Sequence, residues 1–195
     1  MSDDSQLEAT AEKLKHVKLL AMDVDGVLTD GAIWLESDGS EAKRFSVADG
    51  LGIVLMLKAG LLVVWISGRR SVAVEKRAAE LSITHLFQGA RNKSRVIAQL
   101  MATYSLGSAN IAYIGDDLND LPAFATAGVR FATANAAGEV KAVADFVTDN
   151  SGGGGAIREV CNAILKAQNR WTSAVESYLS EILQSNEAES QNTAI

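Results

Sequence analysis

Apolar residues along this chain fall into short continuous runs separated by polar, glycine-rich stretches. Leu19-Leu20-Ala21-Met22, Leu61-Leu62-Val63-Val64-Trp65-Ile66 and Ile111-Ala112-Tyr113-Ile114 are the clearest. His85-Leu86-Phe87, Val129-Arg130-Phe131-Ala132 and Phe146-Val147-Thr148 are shorter. Continuous rather than alternating hydrophobicity marks strands covered on both faces, as in parallel sheets. Helical stretches alternate with them: 51–60, closed by Gly60; 71–81; 94–104; and 121–127, with Pro122 in its first turn and Gly128 as a stop. Proline is tolerated at a helix start and glycine favoured past its end. Strands alternating with helices imply right-handed crossovers, hence an α/β fold with a doubly wound, Rossmann-like parallel sheet.

Three stretches stand outside that alternation. Ala32–Ser37 and Glu41–Val47 flank Asp38-Gly39, and Asp-Gly between strand-like runs predicts a projecting hairpin over about 32–47. Its Trp34 and Phe45 would be large apolar side chains in need of cover. Leu7, Ala11 and Leu14 predict a short amphipathic helix over 5–16. After the glycine run 152–155, Ile157, Cys161, Ile164, Gln168, Trp171, Val175, Tyr178 and Ile182 step by four and three. This seam predicts one C-terminal helix over about 156–184, packed on the parent domain or on a neighbouring subunit. Residues 185–195 read as a flexible polar tail. A single domain therefore spans 1–184.

Composition narrows the partners. A chain of 195 residues suits one domain, and a net charge of −6 argues against nucleic acid as the main ligand. The lone Cys161 allows no internal disulfide or thiolate metal cage. No run is long and apolar enough for a membrane span, and the acidic first residues lack the basic start of a signal peptide, so the cytoplasm is the expected compartment.

Chemistry enters at Asp23-Val24-Asp25-Gly26. If the strand runs over about 18–25, Asp23 and Asp25 share one face at its carboxyl end, where open α/β sheets bind ligands. Two like charges so close call for a cation or a shared proton. A turn accounts for Asp25-Gly26 but not for Asp23. Ser67, Lys93 and Asp116 also follow strands and belong on the same sheet edge. Such a set suits phosphoryl transfer: Asp23 as nucleophile, Asp25 as acid and base, Asp116 as a further oxygen ligand of Mg²⁺, and Ser67 and Lys93 toward phosphate oxygens.

Asp23-Val24-Asp25-Gly26-Val27-Leu28-Thr29, Ser67-Gly68-Arg69, Lys93 and Gly115-Asp116-Asp117-Leu118-Asn119-Asp120 together resemble the four motifs of the haloacid dehalogenase-like phosphatase superfamily. The resemblance runs from about Lys18 to Gln168. It implies Asp23 as nucleophile and Asp25 as acid/base, with Mg²⁺ held by Asp23, the Asp25 backbone carbonyl and Asp116. Ser67 and Lys93 would hold phosphate, with Gly68, Asp117 and Asp120 in support. For an acidic sugar phosphate it implies contacts from Arg69, Arg77 and the loop Ser46, Val47, Ala48, Asp49 and Gly50. It further implies a homotetramer and a place in lipopolysaccharide biosynthesis. No separate cap domain fits between the motifs, so the hairpin stands in its place and neighbouring subunits are expected to exclude water. Ala48 and the glycine run lack arginines that some relatives carry there, which bears on the choice of sugar acid. A nine-carbon keto-acid sugar phosphate is the alternative substrate. A phospho-aspartate signalling module is the alternative class, disfavoured because its phosphorylated aspartate usually lies on a later strand. Cys161 reads as core, and the glycine run as a flexible hinge or an anion-binding helix start.

Overall fold

The computed structural model describes the backbone of residues 11–192 and the side chains of residues 11–184. In chain order its main elements are β1 (Leu19–Met22), the hairpin strands β2 (Trp34–Leu35) and β3 (Glu41–Ala42), α1 (Val47–Lys58), β4 (Leu62–Ser67), α2 (Val72–Glu80), β5 (His85–Gln88) and α3 (Lys93–Tyr104). There follow β6 (Ile111–Gly115), a 3-10 turn (Leu118–Asp120), α4 (Leu121–Phe124), β7 (Val129–Ala132), α5 (Gly138–Val143), β8 (Phe146–Val147), α6 (Ala156–Ala167) and α7 (Trp171–Asn192).

Six strands form one parallel sheet in the order β5-β4-β1-β6-β7-β8. β1 is central, with Leu20 level with Val63 on one side and Ala112 on the other. The chain winds outward from β1 in both directions, so the crevice beyond its carboxyl end is a topological switch point. Alternate residues of β1 serve opposite layers, as the pleat requires. Leu20 and Met22 face a core with Ile53 and Met56 of α1 and Val160, Cys161 and Ile164 of α6. Leu19 and Ala21 face the other, with Ile97 and Leu100 of α3 and Phe124 of α4. Each such fully buried aliphatic side chain contributes about 1.5–3 kcal/mol. Among the described residues no helix is long and apolar enough to cross a membrane.

Several expectations are corrected. β1 ends at Met22, not near 25; the Asp23 amide still donates to Ile114 O (3.1 Å), and a turn begins at Asp25. The sheet edge, not the strand pleat, therefore groups the two aspartates. The hairpin is present, but its ladder is only two residues per strand. Trp34 is 64% exposed, whereas Phe45 packs on the core. The C-terminal helix is two helices, because Asn169 adopts a left-handed conformation (φ 54°) between α6 and α7. Of the seam, Ile157, Cys161 and Ile164 are buried in the parent domain, while Ile182 is exposed. α7 continues to Asn192, through most of the stretch read as a tail; residues 193–195 lie outside the described residues. At the other end residues 11–14 are helical, and the predicted helix's first part, 5–10, lies outside the described residues. α5 had no signal beyond a short polar–apolar alternation.

The glycine run is neither a hinge nor an open anion site. The Gly152 amide donates to Asn135 Oδ1 (2.8 Å) and the Gly153 amide to Val27 O (3.0 Å). A Cβ at Gly152 would fall 1.8 Å from Gly26 O, and one at Gly153 would fall 2.6 Å from Asp30 N. These glycines let one backbone lie directly on another, the loop that carries Asp23 and Asp25. The start of α6 is capped by the chain's own carboxylate, with Gly155 N and Arg158 N donating to Asp49 (3.2 and 2.8 Å).

Candidate active site

Asp23 leaves the buried end of β1 with only 4% of its surface exposed. Its Oδ1 lies 2.8 Å from Lys93 Nζ, which α3 brings in at its first residue. Lys93 is itself buried and also reaches Asp120 Oδ1 at 2.6 Å. Asp120 Oδ1 takes a further hydrogen bond from the Tyr113 hydroxyl (2.6 Å), and Oδ2 takes one from the Asp116 amide (2.9 Å). Asp120 thus fastens Lys93, β6 and the loop after it. Tyr113 is a site residue that sequence reasoning missed; it reads as one more core aromatic in an apolar strand.

Asp116 faces Asp23 from the end of β6. Oxygens of Asp23, Asp116 and Asp120 lie within 4.8 Å of one another. Burial, and after it the Asp120 charge, raise the Asp23 carboxyl, Lys93 opposes both, and the net result is about 7. Asp116 is likewise raised to about 7, by burial and then by Asp23 and Asp120. Burial pushes the Lys93 ammonium down, but Asp23 and Asp120 outweigh it and the net shift is upward. One ammonium does not balance three clustered carboxylates, two buried and one half-buried, and Asp116 Oδ1 is itself buried with no hydrogen-bond partner. An oxygen-only set with an orphaned carboxylate oxygen fits a hard divalent cation. Gly26 makes room for the Asp116 carboxylate, since a Cβ there would fall 2.0 Å from Asp116 Oδ2.

Asp25, two residues on, turns toward a different set. The Ser67 hydroxyl, at the end of β4, approaches Asp25 Oδ2 at 3.5 Å and accepts from Arg69 N at 3.0 Å. Arg69 Nε lies 4.0 Å from Asp25 Oδ2, and its Nη2 pairs with Glu41 at 2.6 Å. Lys43 of the hairpin pairs with Asp25 Oδ1 and lies 3.3 Å from Glu41. Glu41 and Lys43 were also missed, because in sequence they read as polar residues on an exposed hairpin.

The remaining predicted residues divide. Gly68 is exposed at the rim, with open space where a Cβ would go. Asp117 is exposed and caps the 3-10 turn through Leu118 N (2.8 Å). Ser46 caps α1 through Asp49 N (3.2 Å), with Val47 and Ala48 exposed beside it. Asp49 is buried and raised by that burial, against the amides it accepts from α6. Arg77 lies across Gly50 and approaches Ser46 O at 3.5 Å, while its other nitrogen pairs with Glu80. Asp49 and Arg77 therefore support the Ser46–Gly50 loop in this chain and are not gathered with Asp23, Ser67 and Lys93. A cleft of about 620 Å³ adjoins the aspartates through Arg69 and Glu41, between the hairpin and the start of α2.

A family model for haloacid dehalogenase-like hydrolases matches residues 80–160. The 3-deoxy-D-manno-octulosonate 8-phosphate phosphatase KdsC of Escherichia coli (strain K12) is 43% identical over 158 residues, 81% of this chain and 84% of the relative. A Moraxella catarrhalis 3-deoxy-D-manno-octulosonate 8-phosphate phosphatase, solved with magnesium, phosphate and the sugar acid, superposes with a TM-score of 0.85 at 42% identity, covering 88% of this chain and 99% of that one. A Legionella pneumophila hydrolase of haloacid dehalogenase subfamily III A superposes at 0.89, with 40% identity over 91% and 97% of the two chains. The chain belongs to the haloacid dehalogenase-like hydrolases, among the relatives of the 3-deoxy-D-manno-octulosonate 8-phosphate phosphatases.

Proposed function

We propose that this chain hydrolyses 3-deoxy-D-manno-octulosonate 8-phosphate to the free sugar acid and phosphate, for lipopolysaccharide biosynthesis, as a cytoplasmic homotetramer. The observation that carries the chemistry is the buried Asp23–Lys93–Asp120 chain facing Asp116. Mg²⁺, held by Asp23, the Asp25 backbone carbonyl and Asp116, would supply charge neutralisation of the phosphate.

Asp23 attacks phosphorus with one carboxylate oxygen. The new bond is Asp23 O–P, the bond that breaks joins phosphorus to the sugar oxygen, and that oxygen takes a proton from Asp25. Water then attacks the phosphorus of the aspartyl-phosphate, gives its proton to Asp25 and releases phosphate from Asp23. Lys93, fixed by Asp120, keeps the Asp23 carboxylate aimed and opposes its protonation. Ser67 holds a hydroxyl at the same rim. The adjoining cleft carries Arg69, Arg70 and Lys76, cations suited to the carboxylate of a sugar acid. The exposed Ile33, Trp34 and Leu35 of the hairpin support the tetramer, since such a patch is usually covered by a subunit.

Phosphate release from a panel of sugar phosphates tests the substrate. Preference for the eight-carbon acid is expected, and activity on the nine-carbon keto acid alone overturns it. Sedimentation in solution tests the tetramer, and a monomer at assay concentration overturns that part.

A further inference from the structure

The hairpin reaches into the site through Lys43, with Glu41 beside it. Of its described side chains, most are exposed: Trp34 by 64% and Leu35 by 73%. The Lys43 side chain is the opposite, with no exposure at all. Its ammonium lies on Asp25 Oδ1, and the other oxygen of that carboxylate is approached by Ser67 Oγ. Glu41, also of the hairpin, joins Lys43 (3.3 Å) to Arg69 (2.6 Å), and Arg69 returns to Asp25 at 4.0 Å. Two cations and two carboxylates thus alternate around a closed ring of four side chains. Two of the four come from the hairpin, one from the β1 turn and one from the turn after β4.

A buried ammonium is costly unless paired, so the ring fixes where each member lies. Asp25 sits on a turn, beyond the end of the strand; Lys43 touches its carboxylate closely, while Ser67 and Arg69 approach it only at 3.5 and 4.0 Å. Ser67 is too distant, at 3.5 Å, to orient it alone. Without Lys43 the carboxylate keeps the turn's freedom, and a proton donor misplaced by about 1 Å loses about 100-fold in rate.

We propose that Lys43 is a positioning residue: supplied by the hairpin and braced by Glu41, it aims the Asp25 carboxylate at the leaving oxygen of the substrate. The hairpin therefore does more than stand where relatives have a cap, because its docking completes the acid/base. This rests on Asp25 being that acid.

The test compares two substrates. Protonation is needed when a sugar alkoxide leaves and is not needed when p-nitrophenolate leaves. The parameter kcat/KM reports events through that departure. For Lys43→Met, which keeps the buried stem, we expect kcat/KM for the sugar phosphate to fall about 100-fold. For p-nitrophenyl phosphate it should change by less than about five-fold, which also shows the variant to be folded. Lys43→Arg should recover at least about ten-fold of the sugar-phosphate loss. Equal losses on both substrates, or no loss on either, overturn the positioning role. Asp25→Asn measured alongside separates the two claims. If Asp25→Asn shows the leaving-group dependence and Lys43→Met does not, the role of Lys43 fails alone. If Asp25→Asn shows none, the acid assignment itself fails, and with it the proposal for Lys43.

Discussion

Gly26 lies directly against Asp116: a Cβ added to the glycine would fall 2.0 Å from Asp116 Oδ2. The backbone there is also left-handed, with φ at 93°. Glycine is required twice over, for conformation and for the approach of a carboxylate. Gly26→Ala should cost about 1–2 kcal/mol in backbone strain and should displace Asp116. Activity should fall about 100-fold, and isothermal titration should show weakened Mg²⁺ binding in the folded variant.

Asp120 holds Lys93, Tyr113 and the Asp116 amide at once. Asp120→Asn would leave Lys93 buried with a single counter-charge. Because Asp23 still pairs with Lys93, the loss should be about 1–2 kcal/mol in urea unfolding, from the weakened bonds to Lys93 and Tyr113. Tyr113→Phe removes one donor only and should cost about 1–2 kcal/mol, with a smaller loss of activity.

The contact of Gly152 with Gly26 O makes a third prediction. Gly152→Ala should lower both the melting temperature and kcat, because its Cβ would fall 1.8 Å from that carbonyl. Gly154→Ala, in the same run, meets nothing nearer than Ser151 O at 3.2 Å and should do far less harm to either. Equal effects would mean that the run acts by flexibility rather than by close packing.

Away from the site, Asp145 joins three parts of the chain. It pairs with Lys13 (2.8 Å) and Arg130 (2.9 Å) and accepts the Arg130 amide. Burial raises its carboxyl, but Arg130 and Lys13 outweigh that and bring it down to about 2. A carboxyl lower in the folded than in the unfolded chain adds stability above about pH 4. That contribution is lost as pH falls from about 4 to 2. Discounted for the exposure of its partners, it should amount to about 1–2 kcal/mol. Denaturant unfolding between pH 6 and pH 2.5 should show a steeper acid loss in the native chain than in Asp145→Asn.

The parallel sheet and its functional edge were legible because continuous apolar runs have one common use, a strand covered on both faces. The grouping of Asp23, Asp116 and Lys93 followed from that topology without any side-chain detail. What stayed hidden has a common cause. Tyr113, Lys43 and Glu41 act through contacts with residues distant in sequence, and their own neighbourhoods resemble ordinary core or ordinary surface. Asp49 and Arg77 sit within a recognisable loop, yet only packing reveals that the first caps α6 and the second covers Gly50. The break at Asn169 was obscured because the seam on either side keeps its spacing through a left-handed residue.

Asp23 as the nucleophile is tested most directly by rapid acid quench during turnover, followed by proteolysis and mass spectrometry. A phosphoryl group should be found on Asp23, formed and lost at rates that match turnover, and absent from Asp23→Asn. A phosphoryl group carried by a different residue during normal turnover would contradict the assignment.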